Sequence, residues 1–431
     1  MIVRIGIQTW GTEGDVRPFF SLAAALKTRG HAVKVVYTNV EGRDFGPLAE
    51  RCGVEAIGVA GEYFRANASR NAKRAQESFE RGNPLSQIRL IAQDLLDPVV
   101  QPMFEAGAKL ATESDAMVGH FIAHPAATAA ELHRVPYGIV SLQPIFASAH
   151  YAPVGMPAFP RWLNPIKWKL VARVLESVFR DRINALRAHA GLSPVRDVHR
   201  LSLERSAFGL VAVSPTLFPR PPDWATGAHV CGFLGLPDAA EDWQPDAELR
   251  AFLDRGPAPA FLSFGSMFSL DGDRTNSVVA KLAHAVELAG ARGIIQAPEN
   301  VIAHAPKSDA IAYVVRAPHA RLFPRCSMIV HHGGAGTTQS ALLAGRPSIV
   351  VPHAADQFYW GELLFDRGVA SKPLAARSLT PKALAERIRF VASRPELTTR
   401  ATALGDALRD ERGPERAAEL VERAFLGMLA P

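Results

Sequence analysis

The feature that most restricts this chain is a recurring alternation: short β-branched and aliphatic runs, closed by glycine or small polar residues, are followed by stretches with helical spacing. Ile2–Ile7 reads as a strand and Arg17–Arg29 as the helix after it; Gly30 ends that helix, and Ala32–Tyr37 is the next strand. Continuous apolar strands separated by helices suit a parallel sheet covered on both faces, because each crossover needs a helix and neither face meets water. The same reading places strands at Ala116–Gly119, Tyr137–Ser141 and Leu210–Val213, and helices near Leu85–Leu110, Ala126–His133 and Ile166–His189. Six prolines between Pro215 and Pro245 mark a stiff connection. Beyond it the rhythm restarts with Ala260–Phe264, Gly293–Gln296, Ala312–Val315, Met328–His331 and Ser348–Val351. A chain of 431 residues is therefore expected to form two doubly wound, Rossmann-like α/β domains facing each other across a cleft. The expected division is a first domain at 1–220, a linker at 221–245, a second domain at 246–410, and a C-terminal helix at 411–431 packing back on the first domain.

Charged residues make up 21% of the chain and no window approaches the uninterrupted apolar length of a membrane span. Met1 leads straight into the first strand without a basic, cleavable leader, which predicts a soluble cytoplasmic protein. Cys52, Cys231 and Cys326 are odd in number and far apart, so neither a disulfide framework nor a zinc knuckle is expected. The net charge of +6 suits an anionic small molecule or an anionic surface. No basic run carries the interleaved aromatics that stack on bases, so nucleic acid is not expected as a partner, whereas a peripheral membrane contact stays open.

Ligands of open parallel sheets bind beyond the carboxyl ends of the strands, which directs attention to two loops. In Gly11-Thr12-Glu13-Gly14-Asp15-Val16-Arg17-Pro18, Asp15 sits at a helix start, where a carboxylate can cap the helix or accept a proton. In His331-His332-Gly333-Gly334-Ala335-Gly336-Thr337-Thr338, glycines let an anion approach the backbone, and helix-start amides, the Thr337 and Thr338 hydroxyls and His332 can hydrogen-bond to it. The spacing departs from GxGxxG, and GxxxxGK[ST], GxSxG and HExxH are all absent. Neighbouring histidines at a strand end point apart, so no metal site is expected; Asp271-Gly272-Asp273 reads as a turn.

These motifs, with Pro352-His353-Ala354-Ala355-Asp356-Gln357 after the next strand and Arg316-Ala317-Pro318-His319 before it, resemble the signature of family 1 glycosyltransferases of the GT-B fold. The opening loop is similar to that of the bacterial sterol, natural-product and rhamnolipid-type members. The resemblance implies an inverting hexosyltransferase that moves a sugar from a UDP- or dTDP-sugar to a hydroxyl of a small hydrophobic acceptor, with no cofactor beyond that co-substrate. It implies that Asp15 is the base and that His120, just past a strand, stands near the position of its partner. His332, Gly14, Gly334, Gly336, Thr337, Thr338 and Ser266 would meet the donor diphosphate, Asp356 and Gln357 the sugar hydroxyls, and Arg316, Ala317 and His319 the nucleoside. The aromatic, proline-rich stretch from Gln143 to Trp162 would cover the acceptor, with Phe146 and Tyr151 as contacts. Arg316 and Ser340 replace a tryptophan and a glutamate of plant members, leaving base stacking and ribose recognition open. A non-catalytic sugar-nucleotide-binding partner protein would keep the second loop and lose Asp15, and a nicotinamide-dependent oxidoreductase would need the missing glycine fingerprint.

Overall fold

The computed structural model describes residues 2–80, 84–156, 158–197, 206–236, 243–265, 272–353 and 355–429. The chain divides into two compact units, one made of Met1–Ala239 with Glu411–Pro431 and the other of Ala240–Asp410. Each is built on one wholly parallel sheet flanked by helices, a Rossmann-like α/β architecture.

The first sheet has seven strands in the order β3-β2-β1-β4-β5-β6-β7. These are β1 Arg4–Gly11, β2 Ala32–Asn39, β3 Glu55–Gly58, β4 Ala116–His120, β5 Tyr137–Ser141, β6 Gly209–Val211 and β7 Ala228–Val230. β1 lies centrally, with Gln8 in register with Val36 on one side and Gly119 on the other. It is buried along almost its whole length, and part of its polar complement bonds internally: the Gln8 amide nitrogen donates to the Met103 carbonyl at 2.8 Å and the Thr9 hydroxyl to the Asp15 carbonyl at 3.0 Å, whereas Gln8 Oε1 and the Trp10 indole N–H have no partner.

The second sheet has five strands in the order β10-β9-β8-β11-β12. They are β8 Ala260–Ser263, β9 Gly293–Gln296, β10 Ile311–Val314, β11 Met328–His331 and β12 Ser348–Val350. Adjacent β8, β11 and β12 therefore release their following loops side by side at one edge of this sheet.

Two expectations need correction. The stretch 221–245 is not simply a linker: residues 221–236 complete the first unit and supply the edge strand β7. Its prolines shape turns, and the Arg220 guanidinium organises them by donating to the carbonyls of Pro221, Trp224, Ala225 and Ala228. Nor is Leu85–Leu110 one helix. The path runs through a helix at Pro84–Leu90, a π-helical turn at Ile91–Leu96 and a 3-10 turn at Asp97–Val99 before a second helix at Val100–Thr112. Pro98 lacks an N–H and its ring clashes with the carbonyl four residues back, which breaks the α ladder there.

The C-terminal helix Gly413–Leu429 is part of the first unit. Its Ala417, Ala418, Val421 and Phe425 share a core with Leu22, Ala23 and Leu26 of the helix Glu13–Thr28, and the Phe425 ring meets Phe208 edge-on at 5.2 Å. Glu411 ties the approach to this helix down by accepting from the Ser214 hydroxyl at 2.5 Å and the Thr216 amide at 3.1 Å. Phe425→Ala should therefore destabilise the first unit by about 3–5 kcal/mol, the usual cost of a buried Phe-to-Ala cavity. Chemical denaturation followed by circular dichroism checks it, and a near-neutral effect would show that the helix is dispensable to that core.

Candidate active site

At the end of β1 the backbone turns at Gly11 with φ +138°, a conformation that side-chain-bearing residues rarely adopt. Only glycine fits for a second reason: a Cβ at this position would overlap the Asp15 carboxylate. Thr12 then caps the helix Glu13–Thr28, and Asp15 folds back to it, Oδ2 accepting from the Thr12 amide at 2.8 Å and the Thr12 hydroxyl at 2.9 Å. This leaves Oδ1, which lies 3.8 Å from His120 Nε2. Asp15 opens the helix that follows β1 and His120 ends the adjacent strand β4, so strand pairing brings together residues far apart in sequence.

The pair is not an ion pair. His120 is 2% exposed, packed edge-on against Phe19 at 5.7 Å and tilted against Phe121 at 4.8 Å, and burial pushes its pKa down to about 3. Its Nδ1 is buried with no hydrogen-bond partner. About a third of the Asp15 side chain, 34%, remains open, yet the loss of water around the carboxylate raises its pKa above the ordinary value, outweighing the two Thr12 bonds that lower it. The geometry is that of an accessible, strengthened carboxylate base beside a neutral imidazole. Gly14 has space for a Cβ, so no steric demand for glycine arises there.

The second cluster forms at the ends of β8, β11 and β12. His332 follows β11, and its ring occupies the space that a Cβ on Gly334 would need, while Gly265 after β8 lies against the ring's Cε1 edge. His332 Nδ1 is buried without a hydrogen-bond partner, and burial, reinforced by His353 and His319, lowers the pKa to about 4. The side chain is therefore a neutral donor or acceptor at neutral pH. Gly334 caps the helix Ala335–Leu343 with no side-chain hydrogen bond on the first-turn amides, and Gly336 beside them faces open space. Thr337 is half-buried, whereas Thr338 is fully buried, which turns its hydroxyl inward. His331 is internal as well, its Nδ1 accepting from the Gly333 amide at 3.1 Å.

Gln357, 5% exposed, accepts the His353 amide at 2.7 Å through its carboxamide oxygen and so braces the loop after β12, and Phe264 meets the His353 ring at 5.2 Å. Asp356 is half-buried at the start of the helix Ala355–Asp366. Arg316 and Ala317 occupy the loop after β10, Arg316 exposed, and the His319 ring stacks on Phe323 at 4.2 Å. Ser266 and Asp271 lie outside the described residues.

The aromatic stretch packs on the body of the first unit. Phe146 is buried and meets Trp224 edge-on at 5.2 Å, and Tyr151 packs edge-on against Trp168 and Phe218 while its hydroxyl bonds the Phe146 carbonyl. These rings fasten the loop to the body of the unit. The residues that sequence reading overlooked are those that position others: Thr12 and Gly11 around Asp15, and Gly265 and His353 around His332. A Thr three residues before Asp15 is a capping-box signal legible in the sequence; the packing of Gly265 on His332 has no such signal.

Comparison with known proteins agrees with this architecture. Residues 290–423 match the family described as erythromycin biosynthesis protein CIII-like, C-terminal domain. The chain is 28% identical to an Arabidopsis thaliana sterol 3-beta-glucosyltransferase, covering 98% of this chain and 68% of that protein. It is also 28% identical to the O-mycaminosyltylonolide 6-deoxyallosyltransferase of Streptomyces fradiae, covering 97% of each. The crystal structure of the glycosyltransferase VinC in complex with dTDP superposes with a TM-score of 0.66 at 19% identity, over 98% of this chain and 99% of that one. The fold is GT-B, and the protein is a glycosyltransferase.

The buried neutral histidines give the protein a distinct acid response. His120 and His331, pushed down to about 3, and His124 and His332, pushed down to about 4, stay unprotonated in the fold while an unfolded chain protonates them below its ordinary pKa of 6.5. Their stabilisation is thus full above pH 6.5 and is lost as pH falls from there toward 4, by about 1 kcal/mol per histidine between pH 7 and 5.5. Asp15 and Glu41, both raised by burial, act in the opposite sense. The melting temperature should drop over this interval, and less steeply in His120→Asn. Equal slopes for the two proteins would show that His120 titrates freely in the fold.

Proposed function

We propose that the protein is an inverting hexosyltransferase using a UDP- or dTDP-sugar and the hydroxyl of a small apolar acceptor of the sterol or macrolide kind. The observation that carries this reading is the division of labour within Asp15: Oδ2 is committed to the helix cap while Oδ1, on a carboxylate made more basic by burial, stays available. The names of the plant sterol and bacterial macrolide relatives and the dTDP bound by VinC support the acceptor and donor classes.

In this mechanism Asp15 Oδ1 takes the acceptor's hydroxyl proton as the oxygen forms a bond to the anomeric carbon. The bond from that carbon to the diphosphate breaks, and the electron pair leaves with the diphosphate. Attack from the opposite face inverts the configuration. His120 stays neutral and confines Asp15, acting as a positioning residue. In the second unit, the neutral His332 and the uncapped amides of the helix Ala335–Leu343 hydrogen-bond the leaving diphosphate, so the charge is met without a divalent ion. Asp356 and Gln357 meet sugar hydroxyls, the Gln357 oxygen at the same time holding the loop through the His353 amide. Arg316 with Ala317 and His319 serves the nucleoside.

Asn retains an oxygen that can accept from Thr12 but cannot take a proton from an alcohol. Asp15→Asn should therefore keep the melting temperature near that of the native protein and lower turnover by roughly two to four orders of magnitude. Wild-type turnover in the variant would reduce Asp15 to a cap. His332→Ala should weaken binding of the free nucleoside diphosphate by about 1.5–3 kcal/mol, the scale of a hydrogen bond to a charged group. Calorimetric titration with UDP and dTDP checks this, and unchanged affinity for both would remove His332 from the donor site.

A further inference from the structure

One surface of the first unit is unlike the rest. Phe159, Trp162, Ile166 and Leu170 are 70%, 75%, 59% and 50% exposed, the greatest concentration of exposed large apolar side chains among the described residues. Trp162 belongs to the 3-10 turn Arg161–Leu163, and Ile166 and Leu170 to the helix Asn164–His189 that continues it. Spacings of four residues place Trp162, Ile166 and Leu170 as neighbours on one face, and Phe159 lies just before the turn that carries Trp162. Single exposed apolar residues are ordinary on protein surfaces, but a contiguous patch of this size marks an interaction site.

The platform beneath is anchored. On the opposite side of the same helix Trp168 and Asn164 are buried; the Trp168 indole donates to the Tyr151 carbonyl at 3.0 Å and the Asn164 amide to the Ala149 carbonyl at 3.0 Å. The exposed face is therefore held outward by the folded loop.

Charge identifies the occupant. From His150 to Leu175 the sequence holds Arg161, Lys167, Lys169 and Arg173 and no carboxylate. Arg161 lies over the Phe159 ring at 5.4 Å, placing a guanidinium at the rim of the apolar face. We infer that this face docks on an anionic phospholipid surface, with Phe159, Trp162, Ile166 and Leu170 entering the interface and Arg161, Lys169 and Arg173 meeting lipid phosphates. Apolar residues with a tryptophan, on a helix bordered by Lys and Arg, have the physical make-up of an interfacial anchor. A second copy of the chain suits the face less well, because a two-fold contact would set its cations against their own copies. A small apolar acceptor leaves the cations without a role. The inference is independent of the catalytic assignment, since it concerns where the protein adsorbs and not what it transfers.

Co-sedimentation of the full-length protein with vesicles tests it without any activity readout. Binding to phosphatidylcholine–phosphatidylglycerol vesicles should exceed binding to phosphatidylcholine alone and weaken as salt is raised. The pair Trp162→Ser with Ile166→Ser should reduce the partition coefficient by on the order of tenfold or more, as loss of two buried apolar side chains requires, and Lys169→Glu with Arg173→Glu should abolish the preference for anionic lipid. All four positions are surface-exposed, so unchanged circular dichroism spectra should accompany these changes. No partition onto either vesicle, or equal partition by the Ser pair and the native protein, overturns the proposal. Concentration-dependent self-association that the Ser pair removes, with no vesicle binding, would overturn it too and assign the face to a second copy.

Discussion

Every strand in both sheets runs in the same direction as its neighbours, and this one constraint places the chemistry of the molecule. A parallel sheet needs a helical crossover after each strand, so all its carboxyl ends, and the helix N-termini that follow, gather at one edge. In the first unit that edge collects Asp15 after β1 and His120 at the end of β4, side by side because those strands pair. In the second it collects Gly265, His332 and Gln357 after three neighbouring strands. Neither cluster depends on sequence proximity; both depend on strand order.

Asp15 illustrates how a structural and a chemical role share one side chain. Asp246 caps the helix Ala247–Asp254 through Oδ1 alone, accepting from the Leu249 amide at 2.8 Å, so a cap leaves its second oxygen open. Here one oxygen accepts two bonds from Thr12 and the other has an imidazole that burial keeps uncharged as its neighbour. A protonated histidine at that distance would hold the carboxylate down and blunt it as a base. The packing of Phe19 and Phe121 around His120 keeps that imidazole out of water and so uncharged beside the carboxylate.

The interior strands were the most legible part of the fold, because a strand buried on both faces must be an uninterrupted apolar run; Tyr137–Ser141, Gly293–Gln296 and Met328–His331 occupy the spans read from the sequence. Edge strands carry no such signal. β3 is short and largely exposed, and β7 lies among prolines that suggested a connector. Asp15 and His332 were legible as strand-end residues, yet the partnership of Asp15 with Thr12, and the ring of His332 filling the space opened by Gly334, exist only once backbone torsions are set. The stretch from Gln143 to Leu163 has no period, so nothing in it distinguished the rings that pack inward, Phe146 and Tyr151, from those that face outward, Phe159 and Trp162.

The distribution of unsatisfied polar atoms gives the same edges an energetic identity. His120 Nδ1, His331 Nε2, His332 Nδ1 and Thr338 Oγ1 are all buried without a hydrogen-bond partner, and all lie at or just beyond the carboxyl ends of β4 and β11. Each such atom costs roughly 1–3 kcal/mol relative to a paired one. Within the strands the pairing is incomplete as well: the Gln8 amide nitrogen and the Thr9 hydroxyl are bonded, whereas Gln8 Oε1, Thr38 Oγ1 and Ser348 Oγ are buried without a partner. At the strand ends, unpaired atoms of this kind are hydrogen-bonding capacity at the place where a ligand of an open parallel sheet arrives. For His332 that capacity sits beside uncapped helix amides, and a diphosphate bound there would gain an ordered set of donors without first displacing an internal partner.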